Sequence, residues 1–292
     1  MSSLAIHGHP IILFAEECEQ PVHSAENQVS VLHVGLALGE LLLIADGVAG
    51  NHESAVAARR VVQHFYTHLS ALPSNYPTER AIREASEHAN AGLLAAAATQ
   101  GSSPQDFRAS LLVALLQQDG DITHAWIGHI GDSRAYLLRA GRLHRLTIDH
   151  TVVQEMLDHK MLSAFEALHH PEAKVLTRSL GQQLAVEIDI EQVPLAVGDT
   201  LLLCSDSLWR AVAEQEIQAA ADSATADSAA RNLLTLVLAT GGAEGVGIEM
   251  ARIIQPPETE DEHAHQPLAI VVAGSVFLLG LGGVIGLLWY LL

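Results

Sequence analysis

The chain has 292 residues, of which 15 are Lys or Arg and 34 are Asp or Glu, so its formal net charge is −19 at pH 7. A nucleic-acid partner requires clustered basic side chains, and this composition argues against one. The two cysteines, Cys18 and Cys204, are too few for a disulfide framework, and the length fits one globular domain followed by a tail.

The amino-terminal part of the sequence predicts three strands and two helices. The strands are apolar runs bounded by turn residues, and the first helix shows apolar side chains at four-residue spacing. The predicted strands cover residues 29–38, 41–45 and 110–116, and the predicted helices cover residues 53–72 and 78–99. Gly39-Glu40, between the first two strands, is predicted to form a hairpin turn. No basic region precedes the short apolar run at residues 11–15, which argues against a signal peptide.

The centre of the chain predicts a hairpin with an acidic residue at one end. Apolar runs at residues 125–130 and 135–138 flank Asp132. Ala140-Gly141 then turns the chain into a further strand-like segment at residues 142–146. The Asp132 carboxylate is therefore expected at the end of a strand.

The remainder of the domain predicts further helices and strands. The predicted helices cover residues 151–159, 213–221 and 227–240, and the predicted strands cover residues 186–193, 200–204 and 246–254. Residues 162–183 are polar and irregular, so we predict a surface flap near the site. Helices placed between blocks of strands indicate helices that cover stacked sheets.

The carboxyl-terminal end of the sequence differs in composition from the rest. Residues 255–267 are acidic, contain proline and lack apolar periodicity, which predicts a disordered linker. Residues 268–292 are uncharged and, at ~1.5 Å per helical residue, long enough to cross a bilayer core. Trp289 and Tyr290 stand where an interfacial aromatic belt is expected. We predict a single transmembrane helix, a tail anchor in the cytoplasmic membrane, that leaves residues 1–254 in the cytoplasm.

Three apolar runs each end in an aspartate followed by a small residue. These aspartates are Asp46, Asp132 and Asp206. A single aspartate after a strand is most often a turn former that hydrogen-bonds its own backbone. Three strand ends can instead collect carboxylates for hard divalent cations such as Mg²⁺ or Mn²⁺, which prefer oxygen ligands. A two-metal site of this kind supplies an activated water and neutralises charge during displacement at phosphorus.

Five motifs follow one another along residues 20–254. They are Asp46-Gly47; Gly131-Asp132-Ser133-Arg134-Ala135-Tyr136; Leu146-Thr147-Ile148-Asp149-His150; His170-Pro171 with Leu176-Thr177-Arg178-Ser179-Leu180-Gly181; and Ser205-Asp206-Ser207-Leu208-Trp209. In this order they resemble the bacterial metal-dependent protein serine/threonine phosphatases, the PPM or type 2C class. The resemblance implies an α+β fold of two packed antiparallel β-sheets flanked by α-helices. It also implies hydrolysis of phosphoserine and phosphothreonine in proteins by a metal-activated water, with two Mg²⁺ or Mn²⁺ ions and a third, weaker metal position.

The resemblance assigns roles to five residues of this chain. Asp46 and the Gly47 carbonyl correspond to the ligands that bridge the two metal ions. Asp206 corresponds to the carboxylate that completes the shell of one ion, Asp132 to the acid at the third position, and Glu244 stands where the family has an aspartate. Asp46 and Asp206 are therefore the predicted catalytic residues.

The amino-terminal motif departs from the family pattern of Arg, two residues and then Asn-Glu-Asp. Ser24, Gln28 and Val29 replace the phosphate-binding arginine, the metal-bound glutamate and the aspartate after it. Ser207 replaces a glycine, and Gly245 replaces an asparagine. Because Ser24 stands in place of the arginine, the sequence identifies no phosphate-binding residue.

Two hypotheses remain open for the function. The first is a membrane-anchored phosphatase, and the preserved Asp46, Asp132 and Asp206 favour it because carboxylates repel one another without cations. The second is a catalytically weak or inactive relative that binds a phosphoprotein or regulates a kinase, and the departures in the amino-terminal motif and at Gly245 favour it. The expected partners are a phosphorylated protein, a cognate serine/threonine kinase and the membrane.

Overall fold

The computed structural model describes residues 11–19, 28–48, 50–101, 103, 105–120, 122–241 and 245–255. Within these residues the chain forms ten strands and seven helices. The strands are β1 (Ile11–Glu19), β2 (Val29–Leu36), β3 (Gly39–Gly47), β4 (Ala109–Asp119), β5 (Ile122–Ile130), β6 (Arg134–Arg139), β7 (Arg142–Arg145), β8 (Asp189–Leu195), β9 (Thr200–Cys204) and β10 (Val246–Ile254). The helices are α1 (His52–Ser70), α2 (Thr78–Gln100), α3 (Val152–Asp158), α4 (Ala164–Leu168), α5 (Asp206–Ala211), α6 (Glu214–Ala221) and α7 (Ala226–Ala239).

The strands form two five-stranded sheets, in the orders β1-β10-β9-β6-β7 and β2-β3-β4-β5-β8. Every neighbouring pair of strands is antiparallel. The predicted fold, two packed antiparallel sheets flanked by helices, is confirmed.

Three apolar layers hold the sheets and helices together. Leu42 and Ile44 of β3 point into the layer between the two sheets, where they meet residues such as Leu203. Leu41 and Leu43, which alternate with them, face the opposite side and pack with residues of α1 and α2. A third layer joins the other sheet to α5, α6 and α7. Because both faces of β3 are buried, its sequence is a continuous apolar run rather than an alternating one.

The predicted turn at Gly39-Glu40 is wrong, since the chain turns at residues 37–38 and Gly39 already begins β3. Leu38 is buried although it lies in the turn, so the turn continues the apolar sequence of the strand and cannot be recognised from polarity. A Cβ on Gly39 would collide with the carbonyl oxygen of Leu116 on the neighbouring strand, and the φ of Gly39 is +138°. The glycine is therefore required by the close approach of β4 rather than by the turn.

The predicted central hairpin is only partly correct. β6 and β7 form a hairpin, but β5 pairs with β4 and β8 in the other sheet. The segment that contains Asp132 is therefore the crossing from one sheet to the other. Apolar runs identify strands without indicating their partners, so the sequence alone could not separate these two arrangements.

Three described elements, β1, α4 and α5, were not predicted. β1 is apolar only in its first half and continues through three glutamates, and it pairs with β10 at the edge of its sheet. α5 has six residues, too few to show a helical period. The predicted flap at residues 162–183 is irregular except for the five-residue α4.

The chain divides into two compact units, Met1–Gln255 and Pro256–Leu292. The predicted transmembrane helix at residues 268–292 and the predicted linker, apart from Gln255, lie outside the described residues. Among the helices that the structure does describe, none has the length and apolar character that a bilayer crossing requires.

Candidate active site

The ends of three strands meet at a cavity of about 120 Å³. The predicted site residues Asp46, Gly47, Asp132 and Asp206 all line this cavity. The described residues that complete its lining are Gln28, Val48, Gly50, Ser110, Lys174, Leu176, Ser207 and Gly245. The structure thus brings together carboxylates that are separated by 160 positions in the sequence, from Asp46 to Asp206.

Asp46 and Gly47 are the last two residues of β3, a central strand of its sheet. Asp46 lies opposite Ser110 on β4, and this register sets the position of Asp46 at the end of the sheet. The backbone N–H of Gly47 donates to the carbonyl oxygen of Gln28 at 3.0 Å. A Cβ on Gly47 would collide with the backbone of Ser54 in α1, so only glycine allows this approach.

Asp132 lies on the crossing between the sheets and is buried, with 8% of its surface exposed. The indole Nε1–H of Trp209 donates to the backbone carbonyl of Asp132 at 2.9 Å. Beside it, the hydroxyls of Ser133 and Ser110 are 3.1 Å apart. These contacts attach the crossing segment to both α5 and β4.

Asp206 is the first residue of α5 and follows β9 after Ser205. Ser205 is tied to β10 by two hydrogen bonds, because its N–H donates to the Gly247 carbonyl at 3.0 Å and its hydroxyl accepts from the Gly247 N–H at 3.1 Å. The Ser207 hydroxyl donates to the Gly245 carbonyl at 2.8 Å. Ser207 therefore uses its side chain to bind the backbone that precedes β10.

Arg210 is a site residue that the sequence reasoning missed. Its guanidinium donates to Oδ2 of Asp206 and to Oδ2 of Asp132, each at 2.8 Å. Arg210 lies one helical turn after Asp206, a spacing that brings two side chains together only on a helix. Because α5 was not predicted, this spacing could not identify the pair from the sequence. Lys174, on the flap, also lines the cavity and is the basic side chain among its described lining residues.

The two acids that contact Arg210 are not fully balanced by it. Burial and the neighbouring Asp206 raise the pKa of Asp132 to about 7, although Arg210 acts in the opposite direction. Burial alone would lower the pKa of Arg210, but the Asp206 and Asp132 carboxylates raise it, so the guanidinium stays charged. One guanidinium is shared by the buried Asp132 and the partly buried Asp206, which leaves negative charge at the cavity.

The donors at the cavity fit a divalent cation. Asp46, Asp132 and Asp206 supply carboxylate oxygens, and Gly47 supplies a peptide carbonyl, which are the ligands that Mg²⁺ and Mn²⁺ prefer. The unbalanced negative charge is a second reason for this fit. Glu244 and Ser24 lie outside the described residues, whereas Gln28 lines the cavity. Val29, opposite Asp46 on β2, is buried in the layer between the sheets and so serves the core.

A second group of candidate ligands, His129, His150 and Asp189, has its ligand atoms within 4.8 Å of one another. These atoms already have partners. The Nδ1 atom of His150 accepts from the Gly131 N–H, and its Nε2 atom lies 3.1 Å from Asp189. Arg178 pairs with the other oxygen of Asp189 at 2.8 Å, which places a positive charge where a cation would bind. This cluster is a polar support beneath the crossing segment.

Comparison with known proteins gives a consistent result. The profile of the family described as protein phosphatase 2C matches residues 23–244. The serine/threonine phosphatase stp of Listeria monocytogenes serovar 1/2a is 32% identical over 181 residues, which cover 61% of this chain and 70% of that protein. The serine/threonine protein phosphatase PstP of Mycobacterium tuberculosis H37Rv is 29% identical over 246 residues, which cover 84% of this chain and 45% of that protein.

Solved structures agree with these relatives. A crystal structure of Mycobacterium tuberculosis PstP matches with a TM-score of 0.71 and 28% identity, and covers 84% of this chain and 99% of that chain. The catalytic domain of PstP in complex with two manganese ions matches with a TM-score of 0.72 and 26% identity, over 84% and 99% of the two chains.

Proposed function

The chain belongs to the protein phosphatase 2C family, and from this premise we propose that it is a metal-dependent enzyme that hydrolyses phosphoserine and phosphothreonine in proteins at the membrane. One observation carries the proposal: three strand-end carboxylates and the Gly47 carbonyl line a single cavity. Similar proteins are named serine/threonine phosphatases, and the related PstP domain binds two manganese ions.

In this proposal Asp46 and the Gly47 carbonyl would hold both of two divalent ions, Asp206 would be a further ligand of one of them, and Asp132 would serve a third, weaker position. When bound, the ions would supply an activated water and neutralise the negative charge of the phosphoryl group. Glu244 is proposed as a further ligand. Among the described candidate ligands, Asp46 and Gly47 end a strand, Asp206 begins the helix that follows a strand, and Asp132 lies on the crossing between the sheets, so these residues would define where the ions and the phosphoryl group meet.

The flap is proposed to contribute to phosphate binding. Lys174 lines the cavity from the flap, and Ser24 replaces the family's phosphate-binding arginine. A lysine ammonium binds phosphate as a point charge rather than through the planar, bidentate grip of an arginine. The substrate is therefore expected to bind loosely.

A second candidate function is a pseudophosphatase that binds a phosphoprotein or regulates a cognate serine/threonine kinase. The observation that favours it is Gln28, which lines the cavity with a neutral amide where the family has a charged glutamate ligand. A neutral carbonyl holds a divalent ion less tightly and makes the water on it less acidic.

The experiment that separates the two functions is a metal titration by calorimetry, combined with phosphopeptide turnover at each Mn²⁺ concentration. We expect Mn²⁺ binding and slow, Mn²⁺-dependent release of phosphate, both abolished by Asp46→Asn. Mn²⁺ binding without any release of phosphate at saturation would instead support the pseudophosphatase.

We further propose that residues 268–292 anchor the chain in the cytoplasmic membrane, with residues 1–254 in the cytoplasm. The support is the uncharged length of this segment, which suits one helical crossing. Deleting residues 268–292 should move the protein from the membrane fraction to the supernatant. A truncated protein that still sediments with membranes would contradict the anchor.

A further inference from the structure

Arg210 contacts two candidate metal ligands without being among the described residues that line the cavity. Its Nε atom donates to Asp206 and its Nη2 atom donates to Asp132. Both contacts engage the Oδ2 atom of the carboxylate, so Arg210 does not occupy the Oδ1 atom of either acid. The guanidinium and a metal ion would then share the same two ligands.

The position of the Arg210 charge is fixed by contacts on its other sides. The Nη2 atom also donates to the carbonyl oxygen of Ala173 on the flap at 3.1 Å. The Cζ atom lies 4.2 Å from the centroid of the Trp209 ring, a cation–π contact. Only 18% of the Arg210 side chain is exposed. A guanidinium held in this way stays beside the carboxylates instead of moving into solvent.

A fixed positive charge at this place has two opposite consequences. The carboxylates of the buried Asp132 and the partly buried Asp206 repel each other, and a cation between them removes that repulsion, so Arg210 stabilises the metal-free protein. The same charge repels a divalent ion that binds to the other oxygens of these carboxylates, because like charges a few ångströms apart interact strongly at a partly buried site. Stability without metal is therefore gained at the expense of metal affinity.

Resting on the proposed function, we propose that Arg210 is a built-in counter-cation of the metal site, which holds Asp132 and Asp206 together without metal and lowers the affinity for divalent ions. The competing role is that Arg210 only orients the carboxylates for the metal. The two roles predict opposite signs, since removing an orienting outer-shell partner weakens metal binding.

The test is Mn²⁺ binding by calorimetry to the full chain in detergent, without phosphopeptide, for the wild type, Arg210→Gln and Arg210→Lys. Arg210→Gln should bind Mn²⁺ at least about tenfold more tightly, because it removes a fixed positive charge that repels the ion at a partly buried site. Arg210→Lys keeps the charge and should stay close to the wild type. Arg83→Gln removes the same charge from an exposed pair with Glu79 and should leave the Mn²⁺ affinity unchanged.

Melting temperatures supply a second readout. In EDTA Arg210→Gln should melt below the wild type, and saturating Mn²⁺ should close the difference. If Arg210→Gln is unfolded in EDTA, Mn²⁺ should restore its fold. Failure of that rescue would overturn the proposal, as would a folded Arg210→Gln whose Mn²⁺ affinity is equal to or weaker than that of the wild type, or the absence of Mn²⁺ binding in both proteins.

None of these measurements uses turnover. A wild type that binds Mn²⁺ but releases no phosphate would contradict the proposed phosphatase activity and leave the role of Arg210 intact. Conversely, an active enzyme whose Mn²⁺ affinity is unaffected by Arg210→Gln would contradict only the role of Arg210.

Discussion

Two partly buried arginines contact the ring of Trp209, with their Cζ atoms 3.4 Å (Arg134) and 4.2 Å (Arg210) from its centroid. Arg134 is paired with one carboxylate, since its Nε and Nη2 atoms lie 2.9 and 2.6 Å from the two oxygens of Asp149. Arg210 divides its donors between two carboxylates of the cavity, each at 2.8 Å. Arg145 also lies 3.8 Å from Asp149, so the acid of the first group has two cations, whereas the two acids of the second group share one guanidinium.

The difference indicates why one arginine serves the fold and the other serves the site. The bidentate contact with Arg134, with Arg145 nearby, leaves no negative charge of Asp149 for a ligand. A guanidinium shared by two acids leaves excess negative charge that a second cation or a proton can neutralise, and burial and Asp206 accordingly raise the pKa of Asp132 to about 7. Two arginines that contact the same Trp209 ring thus have different roles, because their acidic partners differ.

Breaking the Arg134–Asp149 pair should have the largest effect. Arg134→Met removes the short hydrogen bonds to Asp149, whose side chain is 5% exposed, and leaves that carboxylate with only the Arg145 contact at 3.8 Å. We expect the free energy of unfolding, measured in urea, to fall by about 3 kcal/mol, the lower end of the cost of breaking a buried ion pair, because Arg145 still offsets part of the charge. Arg83→Met breaks only an exposed pair and should cost less than ~0.5 kcal/mol. A loss of the same small size for Arg134→Met would mean that the pair contributes nothing to the fold.

Removing one acid from the unbalanced group should change metal binding rather than folding. Asp206→Asn keeps the shape of the side chain, removes its charge and leaves Arg210 paired one-to-one with Asp132. Since loss of an outer-shell partner already costs ~10–100-fold in metal affinity, loss of a ligand should cost at least about 100-fold. Calorimetry with Mn²⁺ measures this loss, and circular dichroism should show an unchanged fold. If both Asp46→Asn and Asp206→Asn bound Mn²⁺ with wild-type affinity, these aspartates would be ordinary turn residues and not metal ligands.

The sequence predicts parts of the molecule in which local pattern and final position coincide. β9 and β10 occupy the predicted residues, Thr200–Cys204 and Val246–Ile254, because a continuous apolar run specifies a strand wherever its partners lie. Asp46 and Asp206 could be predicted to converge because each directly follows such a run. These features depend on neighbours in the sequence.

The features that could not be predicted depend on neighbours in space. Arg210 reads as a surface arginine until the short helix α5 turns it toward Asp132, which is 78 positions earlier in the sequence. Lys174 lies in an irregular flap, where no period indicates which way a side chain points. Likewise, nothing in the two runs around Asp132 shows that they belong to different sheets.

Glu249 extends the comparison to a buried acid without any arginine. It lies on β10, fully buried, and among the described residues neither of its carboxylate oxygens has a hydrogen-bond partner. Burial, followed by the effect of Glu16, raises its pKa well above the usual value. Because unsatisfied buried polar groups cost about 1–3 kcal/mol, Glu249→Leu should raise the free energy of unfolding by an amount in this range.

The pH dependence of the Glu249→Leu effect has a definite sign. Below the unfolded pKa of ~4.3 the carboxyl is protonated in both states, and its ionisation then costs no stability. Above that pH the unfolded chain ionises first, so the wild type loses stability relative to Glu249→Leu until the pH passes the raised folded pKa. Urea denaturation of both proteins between pH 5 and pH 9 measures the difference, and a gap that narrows as pH rises would contradict the assignment.

The smallest expected effect comes from adding a further carboxylate to the cavity that Asp132 and Asp206 line. Gln28 lines the cavity with a neutral amide, so Gln28→Glu adds a carboxylate there. Ser24→Arg adds the bidentate phosphate grip that this sequence lacks. Together they should raise phosphopeptide turnover at least about tenfold, or ~1.4 kcal/mol of barrier, because the metal and the phosphate are each held more tightly.

Gln28→Glu alone should tighten Mn²⁺ binding. The control is Gln118→Glu, the same substitution near the far end of β4, which should leave Mn²⁺ binding unchanged. If the wild type shows no turnover at saturating Mn²⁺ and the double substitution restores none, the altered amino-terminal motif is not what limits the chemistry, and the pseudophosphatase becomes the better account of this chain.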